Sequence, residues 1–195
     1  MQLSGLKFLA TLLYAKGASG RANEPIRGTT RLEKLVFLAQ KEGGIPELYD
    51  FEPYDYGPWS SDIEDDMEAL SNTGLVEIDE EPLLVTIEES DSAYRNNQCE
   101  QREESDVRMP TSLKVYRLSE KGSKAAQGLW KNIDSETKKK IEDIKRRYND
   151  VPLTDLLRLV YTVYPEGAAA SKIYDRILSS RRGSRPHLPE VERDE

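Results

Sequence analysis

The sequence predicts a mainly helical α+β fold, and three observations carry that expectation. Apolar residues recur at helical spacing in several separate stretches. Cap and stop residues bracket those stretches. Short strand-like runs fall between the third helical stretch and the next one. The 195 residues can bury a sizeable core, in one domain or in one domain with a small extension.

The first helix runs from Leu3 to Lys16, with Leu3, Leu6, Phe8, Leu9, Leu12 and Leu13 on a broad apolar face. A loop, GASGRANEPIRG, follows. The second helix opens on TTRLEKLVFLAQKEGG, where Thr30 and Glu33 have the spacing of a capping box. Its buried stripe is Leu32, Leu35, Val36 and Ala39, and Gly43 or Gly44 stops it. The aromatic run LYDFEPYDYGPW contains Pro53 and Gly57-Pro58, which favour an extended segment with a turn. In the third helix Ser61 and Glu64 form a second capping box, Ile63, Met67 and Leu70 face inward, and Gly74 ends the helix.

LVEI reads as a strand, EEP as a turn and LLVTIEE as a second strand. Residues 89–111 are polar and nearly free of large aliphatics, which reads as a flexible insertion. LKVYRL is the next strand and leads into a helix capped by Ser119. DSETKKKIEDIKRRY buries Ile141, Ile144 and Tyr148 on one side. VPLTDLLRLVYTVYP places Pro152 in a first turn and Leu153, Leu156, Leu157, Val160 and Tyr164 on its inner face. AAASKIYDRIL gives a last short helix, and the final stretch has no apolar period. The order is that of a winged helix whose small β-wing carries an insertion. It places a winged-helix-like core at 1–133, a helical extension packed on it at 134–180, and a disordered tail at 181–195.

Composition removes several function classes. Cys99 and His187 stand alone in their types, so an intrachain disulfide, a cysteine zinc site and a histidine-based triad are not expected. No apolar run approaches the roughly 20 residues that span a bilayer. The N-terminus lacks the charged leading segment and cleavage site of a secretory signal. A cytoplasmic protein without membrane association is expected. Asp62, Asp65 and Asp66 share a helix face where a hard cation could sit, but no second ligand cluster accompanies them, so a solvated surface is the simpler reading. Asp50, Glu52 and Asp55 alternate with aromatics and read as exposed strand carboxylates. There is no glycine-rich phosphate loop. No enzyme activity, cofactor or metal is expected.

The net charge of −8 disfavours generic adhesion to nucleic acid. The cations fall in three groups: Arg27, Arg31, Lys34 and Lys41; then Lys138, Lys139, Lys140, Lys145, Arg146 and Arg147; then Arg181, Arg182 and Arg185. The second group is interleaved with Glu136, Glu142 and Asp143, as on an ion-paired solvated face. Candidate nucleic-acid contacts are Lys139, Lys140, Arg146, Arg147, Arg181 and Arg182. The third helix occupies the position of a DNA-reading helix yet carries Asp62, Glu64, Asp65, Asp66 and Glu68. A recognition helix normally offers Arg, Lys, Asn or Gln. Asp62, Asp65, Asp66 and Glu68 instead suit a basic protein partner.

TTRLEKLVFLAQ, FEPYDYGPWSSDIEDDMEALSNTGLVE and VYRLSEKGSKAA together resemble the Panacea (SocA-like) antitoxin domain. YNDVPLTDLLRLVYTVYPEGAAASKI resembles the closing part of YwgA-like winged-helix proteins. The likeness covers roughly residues 3–178, with 89–111 unmatched. Its motif positions are Lys34, Leu35, Tyr56, Gly57, Pro58 and Ser60. The resemblance implies a largely helical domain that neutralises a toxin or delivers a partner by direct contact, with the motif shaping the turn before the third helix. The expected function is therefore a protein-interaction module whose partner is a toxin encoded nearby. The alternative is a winged-helix transcriptional regulator using the basic helix and tail.

Overall fold

The computed structural model describes residues 3–82 and 112–179. The expected strand LLVTIEE, the insertion at 89–111, and the tail with Arg181 and Arg182 lie outside the described residues. Helix α1 spans Gly5–Tyr14, strand β1 Ile26–Arg27 and helix α2 Thr29–Lys41. A hairpin of β2 (Glu52–Tyr54) and β3 (Gly57–Trp59) leads into α3 (Ser61–Asn72). Strands β4 (Val76–Pro82) and β5 (Ser112–Leu118) follow. Helices α4 (Glu120–Lys131), α5 (Ser135–Tyr148), α6 (Leu153–Val163) and α7 (Tyr174–Ser179) complete the fold, with a 3-10 turn at Pro165–Ala168. The fold class is α+β.

The larger sheet is antiparallel with order β1-β5-β4. Ile26 pairs with Tyr116, and the described β4–β5 register runs from Val76 with Leu118 to Pro82 with Ser112. β4 therefore runs straight through Glu80-Glu81-Pro82, where the sequence suggested a turn. Pro82, opposite Ser112, is the last described residue of β4. Arg117 bridges Asp79 at 2.8 Å and Glu81 at 2.7 Å across the β4–β5 pair.

One hydrophobic cluster joins Phe8, Leu9 and Leu12 of α1 and Leu35 and Leu38 of α2 to Ile141 of α5 and Val160 of α6. The helical periods mostly place the inward residues: Ile63, Met67 and Leu70 of α3 are buried, as are Ile141, Ile144 and Tyr148 of α5. Two leucines depart from their expected stripes, because Leu6 is 40% and Leu153 36% exposed. On α6 the buried aromatic is Tyr161, and Tyr164 caps the helix end, half-buried.

Helix α2 differs most from its reading as an amphipathic helix with one stripe. Every residue from Leu32 to Gln40 is buried, including Glu33, Lys34 and Gln40. The capping box at Thr30 and Glu33 does not form: the N-cap is Gly28, without a side-chain cap. The Ser61–Glu64 box does not form either, since Ser60 is the N-cap of α3 and its side chain makes no capping bond. The Ser119 cap of α4 is present, accepting from Gly122 N–H at 2.9 Å.

The basic helix α5 is partly consumed by the core. Lys145 is fully buried, and its Nζ donates to the Leu13 and Ala15 carbonyls at 2.7 and 2.9 Å, satisfying the C-terminal end of α1. Burial holds its pKa at about 7, against the upward pull of Glu24 and Asp150. In the folded state this lysine sheds its proton at lower pH than in the unfolded chain. Between pH 7 and 10.5 the unfolded chain thus binds more protons, and stability rises with pH. Urea unfolding of Lys145→Met should show a loss of about 1–3 kcal/mol at neutral pH from two orphaned carbonyls. It should also show a flatter rise toward alkaline pH than wild type.

Candidate functional site

Three buried polar side chains of α2 point at one chain segment, residues 48–60. Gln40 accepts from Leu48 N–H at 2.9 Å and Tyr49 N–H at 3.0 Å and donates to the Tyr49 carbonyl at 2.9 Å. Lys34 Nζ donates to the Pro58 carbonyl at 2.7 Å. Glu33 Oε2 accepts from Ser60 N–H at 3.2 Å. In a capping box a glutamate of the same helix takes the N-cap N–H. Here a glutamate of α2 does that for α3.

Between these anchors the chain forms the β2–β3 hairpin, with Glu52 opposite Trp59 and Tyr54 opposite Gly57. Gly57 has φ +89°, a left-handed conformation, and a Cβ there would stand 2.8 Å from the Tyr161 ring and 3.4 Å from Lys34 Cε. Only glycine meets both demands. The turn is fixed from the other side by the C-terminal segment. Lys172 pairs with the Asp55 carboxylate at 2.7 Å, and Ser171 Oγ donates to the Asp55 carbonyl at 3.1 Å. The motif residues Lys34, Tyr56, Gly57, Pro58 and Ser60 thus converge on one turn, with Leu35 in the core behind it.

The hairpin leaves aromatic surface outside. Tyr54 is 50% and Tyr56 38% exposed, and the Tyr54 and Trp59 rings lie with centroids 4.9 Å apart. These rings, Glu33, Lys34 and Glu64 border a cavity of about 170 Å³. Burial raises the Glu33 pKa from its ordinary 4.5 to about 7, although Lys34 and the Ser60 N–H pull it down. Burial lowers Lys34 to about 8, with Glu33 opposing. Glu33 Oε1 is buried with no hydrogen-bond partner among the described residues. A wider, open cavity of about 490 Å³ flanks the hairpin near Phe37, Tyr49 and Phe51. Gln40, which also borders it, is committed to the 48–49 backbone.

The acidic residues of α3 separate. Asp62, Asp65 and Glu68 are exposed, but Asp66 is half-buried and accepts from the Tyr49 hydroxyl at 2.7 Å. That bond and burial raise the Tyr49 pKa. Asp66 is thus a structural acceptor rather than a free surface charge. Among the described residues no group of three or more His, Cys, Asp or Glu side chains could hold a metal ion.

The candidate nucleic-acid contacts separate as well. Lys139 and Arg146 are exposed. Lys140 pairs with Glu136 at 2.8 Å, and Arg147 pairs with Glu42 and, at 3.1 Å, with Asp143. Of the first cation group, Arg31 donates to the Tyr148 and Val151 carbonyls, Arg27 pairs with Glu81 and Lys41 with Glu47. Sequence reasoning missed Glu33, Tyr54 and Trp59 as site residues. Glu33 looked like a cap, and Tyr54 and Trp59 read as an extended run and as part of the family resemblance, not as site residues.

No family model matches the chain, and no curated protein matches it. No helix among the described residues is long and apolar enough to cross a membrane.

Proposed function

We propose that this protein is a non-enzymatic interaction module of antitoxin or adaptor type, like the Panacea domains its sequence resembles. It binds a partner protein through the β2–β3 hairpin and the outer side of α3. The observation that carries this reading is a pair of exposed tyrosines on a firmly anchored turn, sharing a cavity with the exposed Glu64 carboxylate. Anchored aromatics are the side chains that dominate binding energy at interfaces. Exposed Asp62, Asp65 and Glu68 on α3, the helix that follows the hairpin, would steer a basic partner. The order of helices and strands, with sheet order β1-β5-β4, supports a winged-helix-like arrangement of the first six elements and β4–β5.

The fate of the cations favours this reading over a DNA-binding regulator. Lys34 and Lys145 are buried, and Arg31, Lys140 and Arg147 already have partners within the fold. Among the described residues these cations serve the fold rather than a phosphate backbone. The test is co-expression with the product of the adjacent gene. The two chains should co-elute and the toxicity of the neighbour should be suppressed. Alanine at both Tyr54 and Tyr56 should weaken the complex by about 2 kcal/mol, roughly thirtyfold. Lysine at Asp62 and Asp65 should slow association mainly at low salt. Absence of both co-elution and growth rescue in wild type would end this reading.

A further inference from the structure

We propose that the cavity beside the hairpin is a receptor for one arginine side chain of the partner protein, stacked on the Tyr54, Tyr56 and Trp59 rings and donating to the Glu33 and Glu64 carboxylates. The inference rests on the protein-interaction reading above and specifies its contact chemistry.

Size comes first. A cavity of about 170 Å³ is below the about 300–1,000 Å³ of metabolite pockets. It suits one side chain rather than a nucleotide or cofactor. Its wall is aromatic, and a cation over an aromatic face is attracted by the ring quadrupole. With Glu33 ionised, above its pKa of about 7, its charge is net negative. Glu33 and Glu64 border it against one ammonium, Lys34, whose Nζ is already bonded to the Pro58 carbonyl. Anionic guests are disfavoured by that balance.

Glu33 supplies an independent reason. It is 1% exposed, one carboxylate oxygen holds Ser60 N–H, and the other has no partner among the described residues. A buried acceptor left without a donor costs about 1–3 kcal/mol. A guest that donates there would recover part of that cost. Guanidinium fits better than ammonium because it is planar, stacks on rings, and sheds water more easily. Its fork of N–H groups can also serve two carboxylates at once.

The test uses the full chain, labelled with ¹⁵N and titrated with N-acetyl-arginine methylamide and, separately, N-acetyl-lysine methylamide. The arginine probe should shift the Trp59 indole and Ser60 amide resonances saturably, and bind at least about fivefold more tightly than the lysine probe. Glu33→Gln keeps an acceptor for Ser60 N–H but removes the charge, and should weaken arginine binding by about tenfold. Tyr54→Ala alters an exposed ring, so it leaves the fold intact and serves if Glu33→Gln fails to fold. It should cost about fivefold. No saturable shift at Trp59 and Ser60, equal binding of both probes, or unchanged binding in Tyr54→Ala would overturn the inference. Intact complex formation with the neighbouring gene product alongside any of those results would overturn the pocket alone. Loss of the wild-type complex would overturn the interaction reading itself.

Discussion

Lys34→Met should destabilise the protein by about 3 kcal/mol at pH 8, and by clearly less at pH 5. The amine is buried, donates to the Pro58 carbonyl and lies beside Glu33. Its removal orphans a carbonyl and leaves a buried carboxylate without its nearest cation. Breaking one side of a buried pair costs about 3–5 kcal/mol. Protonation of Glu33 limits that cost. With its pKa raised from 4.5 to about 7, Glu33 binds its proton more tightly folded than unfolded, so its contribution to stability falls as pH rises across that window. Without Lys34 the carboxyl pKa moves higher still, and the deficit grows from pH 5 to pH 8. Glu33→Gln combined with Lys34→Met should recover most of the loss, because a neutral amide still accepts from Ser60 N–H. Urea midpoints at the two pH values check this. A deficit independent of pH, or no recovery in the double variant, would refute the coupling.

Gly122→Ala should cost about 3 kcal/mol, although helix propensity alone predicts a gain of about 1 kcal/mol. Gly122 sits in the first turn of α4, and an added Cβ would lie 1.8 Å from the Leu75 carbonyl oxygen and 2.7 Å from its carbon. Both obstacles are backbone. The same junction is closed by Ser119 N–H on Leu75 O at 3.0 Å and Ser119 Oγ on Gly74 O at 2.7 Å. The helix must therefore lift away, weakening those bonds and its packing on α1, where Tyr14 and Trp130 rings lie 5.9 Å apart. Overpacking of this kind costs about 1–3 kcal/mol even where side chains can yield. The sign of the change in the denaturation midpoint decides between propensity and close approach.

Much of the helical frame was legible because burial and period agree. Ile63, Met67 and Leu70, or Ile141, Ile144 and Tyr148, meet the core at helical spacing. What escaped did so for identifiable reasons. β1 is two residues long, too short for any alternation, and exists because β5 offers it Tyr116 and Val115 as partners. α2 carries polar residues that in a surface helix would face water, and only tertiary structure turns them inward. Lys145 stands in a charged run, KKKIEDIKRR, with nothing local to mark it as the residue that enters the core. For the candidate site, the turn residues Gly57 and Pro58 could be singled out from sequence. Glu33 could not, because its spacing from Thr30 matched a cap equally well.

The three polar anchors on α2 have a consequence for how a partner would be bound and how the site would fail. A hairpin of three-residue strands is marginal in water. This one is held by the interior of the central helix, so its shape is set before any encounter. Association then carries little ordering entropy, and differences among partners should appear in how long complexes last. The same wiring makes the interior legible from outside. Changes at Lys34 or Gln40, which a partner need not touch, should mimic surface mutations in a binding screen, as should changes at Glu33, which serves both the hairpin and the proposed guest. They would be distinguished only by a matching loss of protection from hydrogen exchange at Leu48, Tyr49 and Ser60.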